Sequence, residues 1–264
     1  MKNIFLLVHD DIGQEARLQA ALDLTRAMDG HLTCVDVSVM PIFMGDYGAG
    51  EAMVLAAERQ QESRNKAAIE ARLASEDVPW DWIDALGNPS ECVLGAANLA
   101  DLIVLNLRMD DAPEAEMRDV ASRTVMHARK PIVAVPPTLD RFEIGRVLIA
   151  WDGQGSVAST MRACVPLLKL AAEVRLFMAH RRNIAASADD AAEYLSRHGI
   201  QATVHYGLDD GIRTIDTLIE EHAQLFRPDY IMMGAYSHGR LAELFGGNTK
   251  RMLAHSKRPL VLGH

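Results

Sequence analysis

The order of elements in this sequence occurs twice. An apolar run opened by an acid, Asp101-Leu102-Ile103-Val104-Leu105-Asn106, returns 128 residues later as Asp229-Tyr230-Ile231-Met232-Met233-Gly234. Lys130-Pro131-Ile132-Val133-Ala134 returns at the same offset as Arg258-Pro259-Leu260-Val261-Leu262, and the first apolar run, ending at Asp10, matches one ending at Asp152, 142 residues on. Internal self-similarity at this scale means two copies of one folding unit. Between the matched runs, apolar residues fall alternately at strand and helix spacing. Strands are expected near residues 3–9, 31–39, 78–85, 101–106 and 130–136, and again near 146–151, 173–180, 201–206, 229–234 and 258–262. Helices are expected over 14–28, 54–74, 90–99 and 120–128. In the second copy they fall on Met161, Cys164, Val165 and Leu168, over 189–198, on the face of Ile212, Ile215, Ile219 and His222, and at the chain end. The first copy is about 14 residues longer, and the glycine- and proline-bearing stretch 40–52 is the expected place for the surplus.

Strands alternating with helices, several of them apolar on both faces, specify α/β domains with parallel sheets. The fold expected is two tandem flavodoxin-like or Rossmann-like domains, 1–137 and 143–264, each with a mostly parallel five-stranded sheet. Pro136-Pro137-Thr138-Leu139-Asp140-Arg141 forms the linker. The closing strands would be bare apolar edges in isolation, so they are expected to pair with each other as an internal pseudo-dimer, with a homodimer as its extension.

Charge separates the two copies. The whole chain carries −9, but residues 1–138 hold 12 Lys+Arg against 22 Asp+Glu, and residues 139–264 hold 15 against 14. That balance argues against a nucleic-acid partner and directs any anionic ligand to the second copy. No apolar run reaches the ~20 residues of a membrane span, so no membrane partner and a cytoplasmic location are expected. Cys34, Cys92 and Cys164 lack metal spacing and are expected to pack as small hydrophobes, and no metal site is expected.

The strongest candidate for a ligand site follows the fourth strand of the second copy: Gly234-Ala235-Tyr236-Ser237-His238-Gly239-Arg240, then Gly246-Gly247-Asn248-Thr249-Lys250-Arg251. A short helical piece, 240–245, separates two glycine turns, and the second turn opens the last helix. Backbone N–H groups in such turns attract anions. The spacing Gly234 to Gly239 imitates a P-loop, but Arg240 and Leu241 replace its Lys and Ser/Thr, and Gly153-Gln154-Gly155 is only part of a dinucleotide fingerprint. Asp152 and Gly153 close the first strand of the same copy, and ligands of doubly wound sheets sit beyond such strand ends.

These residues resemble the universal stress protein family in its tandem, two-domain form, and the resemblance spans essentially the whole chain. Nucleotide-binding members carry G-x2-G-x9-G-[S/T] after the fourth strand and an Asp at the end of the first. Here Gly234 matches the first glycine, Ser237 falls on the second, and Gly247-Asn248 matches the final pair. The resemblance implies an adenine nucleotide α-hydrolase-like fold and ATP or a related adenine nucleotide as ligand, with Mg2+ admitted as its companion. Asp152 with Gly153 would lie on the adenosine side. Gly234, Ser237, His238, Gly239, Arg240, Gly246, Gly247, Asn248 and Thr249 would surround the phosphates.

The first copy has Asn106-Leu107-Arg108-Met109-Asp110-Asp111 at that turn, without glycine and rich in acids, so it is expected not to bind nucleotide, Asp10 being a structural remnant. The function implied is a stress-response regulator in which one domain takes nucleotide and the other docks an unknown protein partner. The alternatives are a nucleotide-free interaction scaffold and a slow ATP hydrolase. No catalytic grouping stands out, because no general base can be named beside Ser156 or Ser159.

Overall fold

The computed structural model describes residues 1–38, 49–112, 115–179, 186–207, 212–235 and 247–264, with the backbone alone for 49–59 and 248. The strands are β1 (Asn3–Val8), β2 (His31–Ser38), β3 (Trp80–Leu86), β4 (Leu102–Asn106), β5 (Ile132–Val135), β6 (Arg146–Ala150), β7 (Glu173–Met178), β8 (Ala202–Tyr206), β9 (Tyr230–Gly234) and β10 (Leu260–Gly263). The helices are α1 (Gln14–Ala27), α2 (Ala49–Leu73), α3 (Pro89–Ala96), α4 (Ala115–Arg118), α5 (Val120–His127), α6 (Gly155–Ala163), α7 (Val165–Leu168), α8 (Ala188–Arg197), α9 (Ile215–Phe226) and α10 (Gly247–His255).

All ten strands join one sheet, in the order β3-β2-β1-β4-β5-β10-β9-β6-β7-β8. Each half is parallel and runs 3-2-1-4-5 in its own numbering, which is the Rossmann-like and not the flavodoxin-like alternative. The halves meet where β5 and β10 pair antiparallel, with Leu260 opposite Ala134, Val261 opposite Val133 and Leu262 opposite Ile132. The expected pseudo-two-fold contact through the closing strands is therefore the centre of the sheet. Every residue of β4, β5 and β10 is buried, as their unbroken apolar runs require. The edge strands β3 and β8 alternate instead.

One face of the sheet is covered by α1, α2, α6, α7 and α8, and the other by α3, α5, α9 and α10, each closing a continuous apolar layer. Segment 136–145 crosses the first layer, where Phe142 stacks on Tyr230 with ring centroids 5.5 Å apart. The two halves also repeat a polar staple. Asp101 accepts from the backbone N–H groups of Lys2 and Asn3 at 2.7 and 3.0 Å, and Asp229 accepts from that of Arg146 at 2.7 Å.

Several expectations are corrected. The surplus of the first copy lies in a helix and not in the loop. Ten residues separate β2 from α2 and nine separate β7 from α8, whereas α2 has 25 residues and α8 has 10. Ala49–Ala52, expected in the loop, are helical, and residues 39–48 lie outside the described ones. The helix expected through Cys164 is broken there, because Pro166 enters the first turn of α7 and cannot donate its backbone N–H. Ile212 precedes α9 and is 86% exposed, so it is not on that helix's buried face.

Candidate functional site

The strand order of the second half reverses between β6 and β9, which pair in parallel. After β6 the chain rises into α6 on one face, and α10, which follows β9, packs on the other. A crevice beyond the carboxyl ends of these two strands is the expected consequence. Asp152 and Gly153 close β6, and Gly234 closes β9, so the structure brings these three sequence candidates together.

Asp152 is exposed, and its carboxylate accepts from the backbone N–H of Gln154 at 2.9 Å, turning the chain into α6. Gly153 has φ +73°, a conformation that favours glycine. The turn is held from outside, since Gly153 C=O accepts from Ala186 N–H at 3.2 Å and the buried Trp151 donates through Nε1 to Ala186 C=O at 3.0 Å. Gly234 has a different task. A Cβ there would lie 2.3 Å from Ser156 Oγ and 2.6 Å from Val157 N, so its absence lets the first turn of α6 sit on the end of β9.

That first turn has no side-chain cap and no acidic residue, leaving its backbone N–H groups directed toward the crevice end of the helix. Ser156 Oγ is buried without a hydrogen-bond partner among the described residues. Ser156 is a residue that sequence reasoning weighed only as a nucleophile and missed as part of the crevice wall. Its pairing with Gly234 spans 78 residues, and no local pattern announces it.

Gly247, Asn248 and Thr249 open α10. Thr249 is buried, and Arg251, two residues on, forms an ion pair with Asp216 at 2.9 Å. Ser237, His238, Gly239, Arg240 and Gly246 lie outside the described residues, as does the expected helical piece at 240–245.

The crevice of the first half, between β1 and β4, is built differently. The strand offset between halves is 143, not 142, since Asp229 braces Arg146 where Asp101 braces Asn3. The loop from β1 to α1 is also longer, and the acid that turns it is Asp11, which accepts from Gly13 N–H at 2.7 Å. Asp11, and not Asp10, is therefore the counterpart of Asp152; Asp10 is exposed and bonded to Gln61. Asn106 stands where the second half has Gly234, and its side chain reaches Gly13 C=O and Val135 C=O at 3.2 and 3.3 Å. The acids of the following turn are also engaged, Asp111 with Ile12 N–H and Asp110 with Arg108.

Burial pushes the thiols of Cys34 and Cys164 up to about 12, which leaves them packed and unreactive. Among the described residues no helix is long and apolar enough to cross a membrane.

Two doubly wound halves joined through their last strands, each with a crevice at its switch point, define the tandem universal stress protein fold. The chain is similar over 99% of its length to 97% of a universal stress protein from Archaeoglobus fulgidus DSM 4304, with TM-score 0.74 and 13% identity. It is also similar over its full length to 93% of a protein from Pseudomonas aeruginosa UCBPP-PA14 provisionally assigned to the same family, with TM-score 0.58 and 14% identity. A protein of unknown function from Pseudomonas aeruginosa PAO1 is matched equally well, with 92% of that chain covered. No protein-family model matches the sequence, and no curated protein does.

Proposed function

We propose that this chain is a universal stress protein whose second half, residues 143–264, binds ATP or a related adenine nucleotide, and whose first half, residues 1–137, does not. The supporting observation is the contrast between the two switch points. In the second, glycine at 234 admits a helix N-terminus without a side-chain cap and a Ser156 hydroxyl that has no partner, both among the described residues, to the crevice end of the strands. In the first, the corresponding space holds the Asn106 side chain. Asp152 would face the adenosine, and the N-terminus of α6 is suited to a phosphate. Ser237, His238, Gly239, Arg240 and Gly246 would complete the phosphate side, with Gly247 and Asn248 at the start of α10.

Mg2+ enters as a companion of the phosphates. Among the described residues no group of three or more His, Cys, Asp or Glu is placed to hold a metal alone. Nucleotide bound in the second half would favour a state that a protein partner recognises. A homodimer would use the outer edges β3 and β8, since β5 and β10 already pair with each other.

Calorimetric titration and thermal melting with ATP test this reading. A ligand of the native state at 100 times its Kd stabilises by about 2.7 kcal/mol, a rise of several degrees in Tm. Asp152→Ala should weaken binding about tenfold or more. Absence of both heat and Tm shift would sink the proposal, as would photolabelled nucleotide recovered on peptides of the first half.

A further inference from the structure

The crevice of the first half is filled by Arg17. This residue lies on the first turn of α1, and its side chain is 0% exposed. A guanidinium has five N–H donors, and here all five are used. Nε donates to Leu7 C=O at 2.7 Å. Nη2 donates to His9 C=O at 3.0 Å and to Asp11 Oδ2 at 2.8 Å. Nη1 donates to Asp11 Oδ1 at 3.3 Å and to Asn106 Oδ1. The Asp11 carboxylate is itself only 2% exposed and is further fixed by Gly13 N–H. Asn106 is held in place from its amide end by Gly13 and Val135.

These acceptors come from the end of β1, from the turn after it and from the end of β4, the same three elements that frame the other crevice. Counting from the residue that precedes each helix, the position of Arg17 is Ala158 in the second half; counting from the ends of β4 and β9, that of Asn106 is Gly234. Both residues that fill the first crevice are thus small in the second. The set of acceptors is two backbone carbonyls, one carboxylate and one amide oxygen, arranged in a plane-fitting fork and carrying one negative charge. Such a set suits a guanidinium and repels a phosphate.

We infer that the crevice of the first half is a guanidinium-binding site, occupied in cis by Arg17. The inference stands on these contacts alone and is independent of nucleotide binding in the second half. Removing the side chain leaves a vacant cation site with Asp11 buried and unpaired, which free guanidinium ion can enter.

The test uses the full chain with Arg17→Ala. Breaking a buried, hydrogen-bonded pair from one side should lower Tm by about 10 °C. Guanidinium chloride at about 50 mM should then raise the Tm of this variant by about 3 °C over sodium chloride at the same concentration, by mass action. The same addition should leave wild type unchanged or slightly lower. Should Arg17→Ala not fold, Arg17→Lys decides. An ammonium has three donors on one atom and cannot reach five acceptors, so this variant should melt several degrees below wild type. The inference is overturned if Arg17→Ala gains no more from guanidinium than from sodium, if wild type gains equally, or if Arg17→Lys melts with wild type.

Discussion

Two glycines at the crevice of the second half, one opening α6 and one closing β9, should behave oppositely. At Gly155 an added Cβ meets nothing within 4 Å, and the position is helical. Gly155→Ala should leave stability unchanged or raise it by about 0.4–1 kcal/mol, through the unfolded chain. At Gly234 the same methyl would press on Ser156 and on the Val157 backbone. Gly234→Ala should cost about 1–3 kcal/mol and weaken ATP binding in parallel. Equal melting temperatures for the two variants would show that the contact at β9 is not tight. Nothing local distinguishes these positions, because what matters at Gly234 is supplied by a helix from elsewhere in the chain. Arg17 is a similar case. Nothing in its neighbours Glu15 and Gln19 on α1 announces its burial, and one of its partners, Asn106, lies 89 residues away. Asp10 and Asp11 are adjacent in sequence, and only the longer loop in three dimensions decides which of them turns the chain.

Among the elements, α9 meets β7 and β8 through a cluster that makes the second half sensitive to acid. His222 stacks on Phe177 with centroids 4.2 Å apart and lies 5.4 Å from His205. Burial first, then the charge of Arg175 and the neighbouring His205, push its imidazole down to about 4. His205 is lowered as well, chiefly by burial and then by Arg175, against the opposing Glu173. The native state therefore holds these rings neutral, while the unfolded chain takes up protons below about 6.5. The contribution to stability is complete above that pH and is lost as pH falls toward 4. Between pH 7 and 5 the loss from His222, discounted for its partial exposure to solvent, should be about 1 kcal/mol. Denaturant titrations should show it, and His222→Phe should flatten the profile; an unchanged slope would remove this role.

The elements themselves were largely legible, because parallel strands buried on both faces announce themselves as apolar runs. The place of the surplus residues was not. Glycines and a proline in 40–52 read as a lengthened loop, yet the length went into α2, whose alanines and charged residues suit a helix of any extent.

At the scale of the whole molecule, the pairing of β5 with β10 is the seam on which a single sheet depends. Val261 is 0% exposed there and sits opposite Val133. Val261→Asp places a charge where neither water nor a partner is available, and should lower Tm by about 10 °C or more. Leu225→Asp, at a position 84% exposed, should stay within about 0.5 kcal/mol of wild type. Comparable melting of the two variants would mean that the seam opens readily. The pairing itself was readable from the matched Lys-Pro and Arg-Pro runs, since each was too apolar to be left as a free edge.

Because that pairing is antiparallel while each half is parallel within itself, the strands of one half point the opposite way from those of the other. The Arg17 end and the Asp152 end consequently look out from opposite poles of the protein. A visitor at one pole has no line of sight to the other, and the two are joined only through the body of the shared sheet and the segment that crosses it.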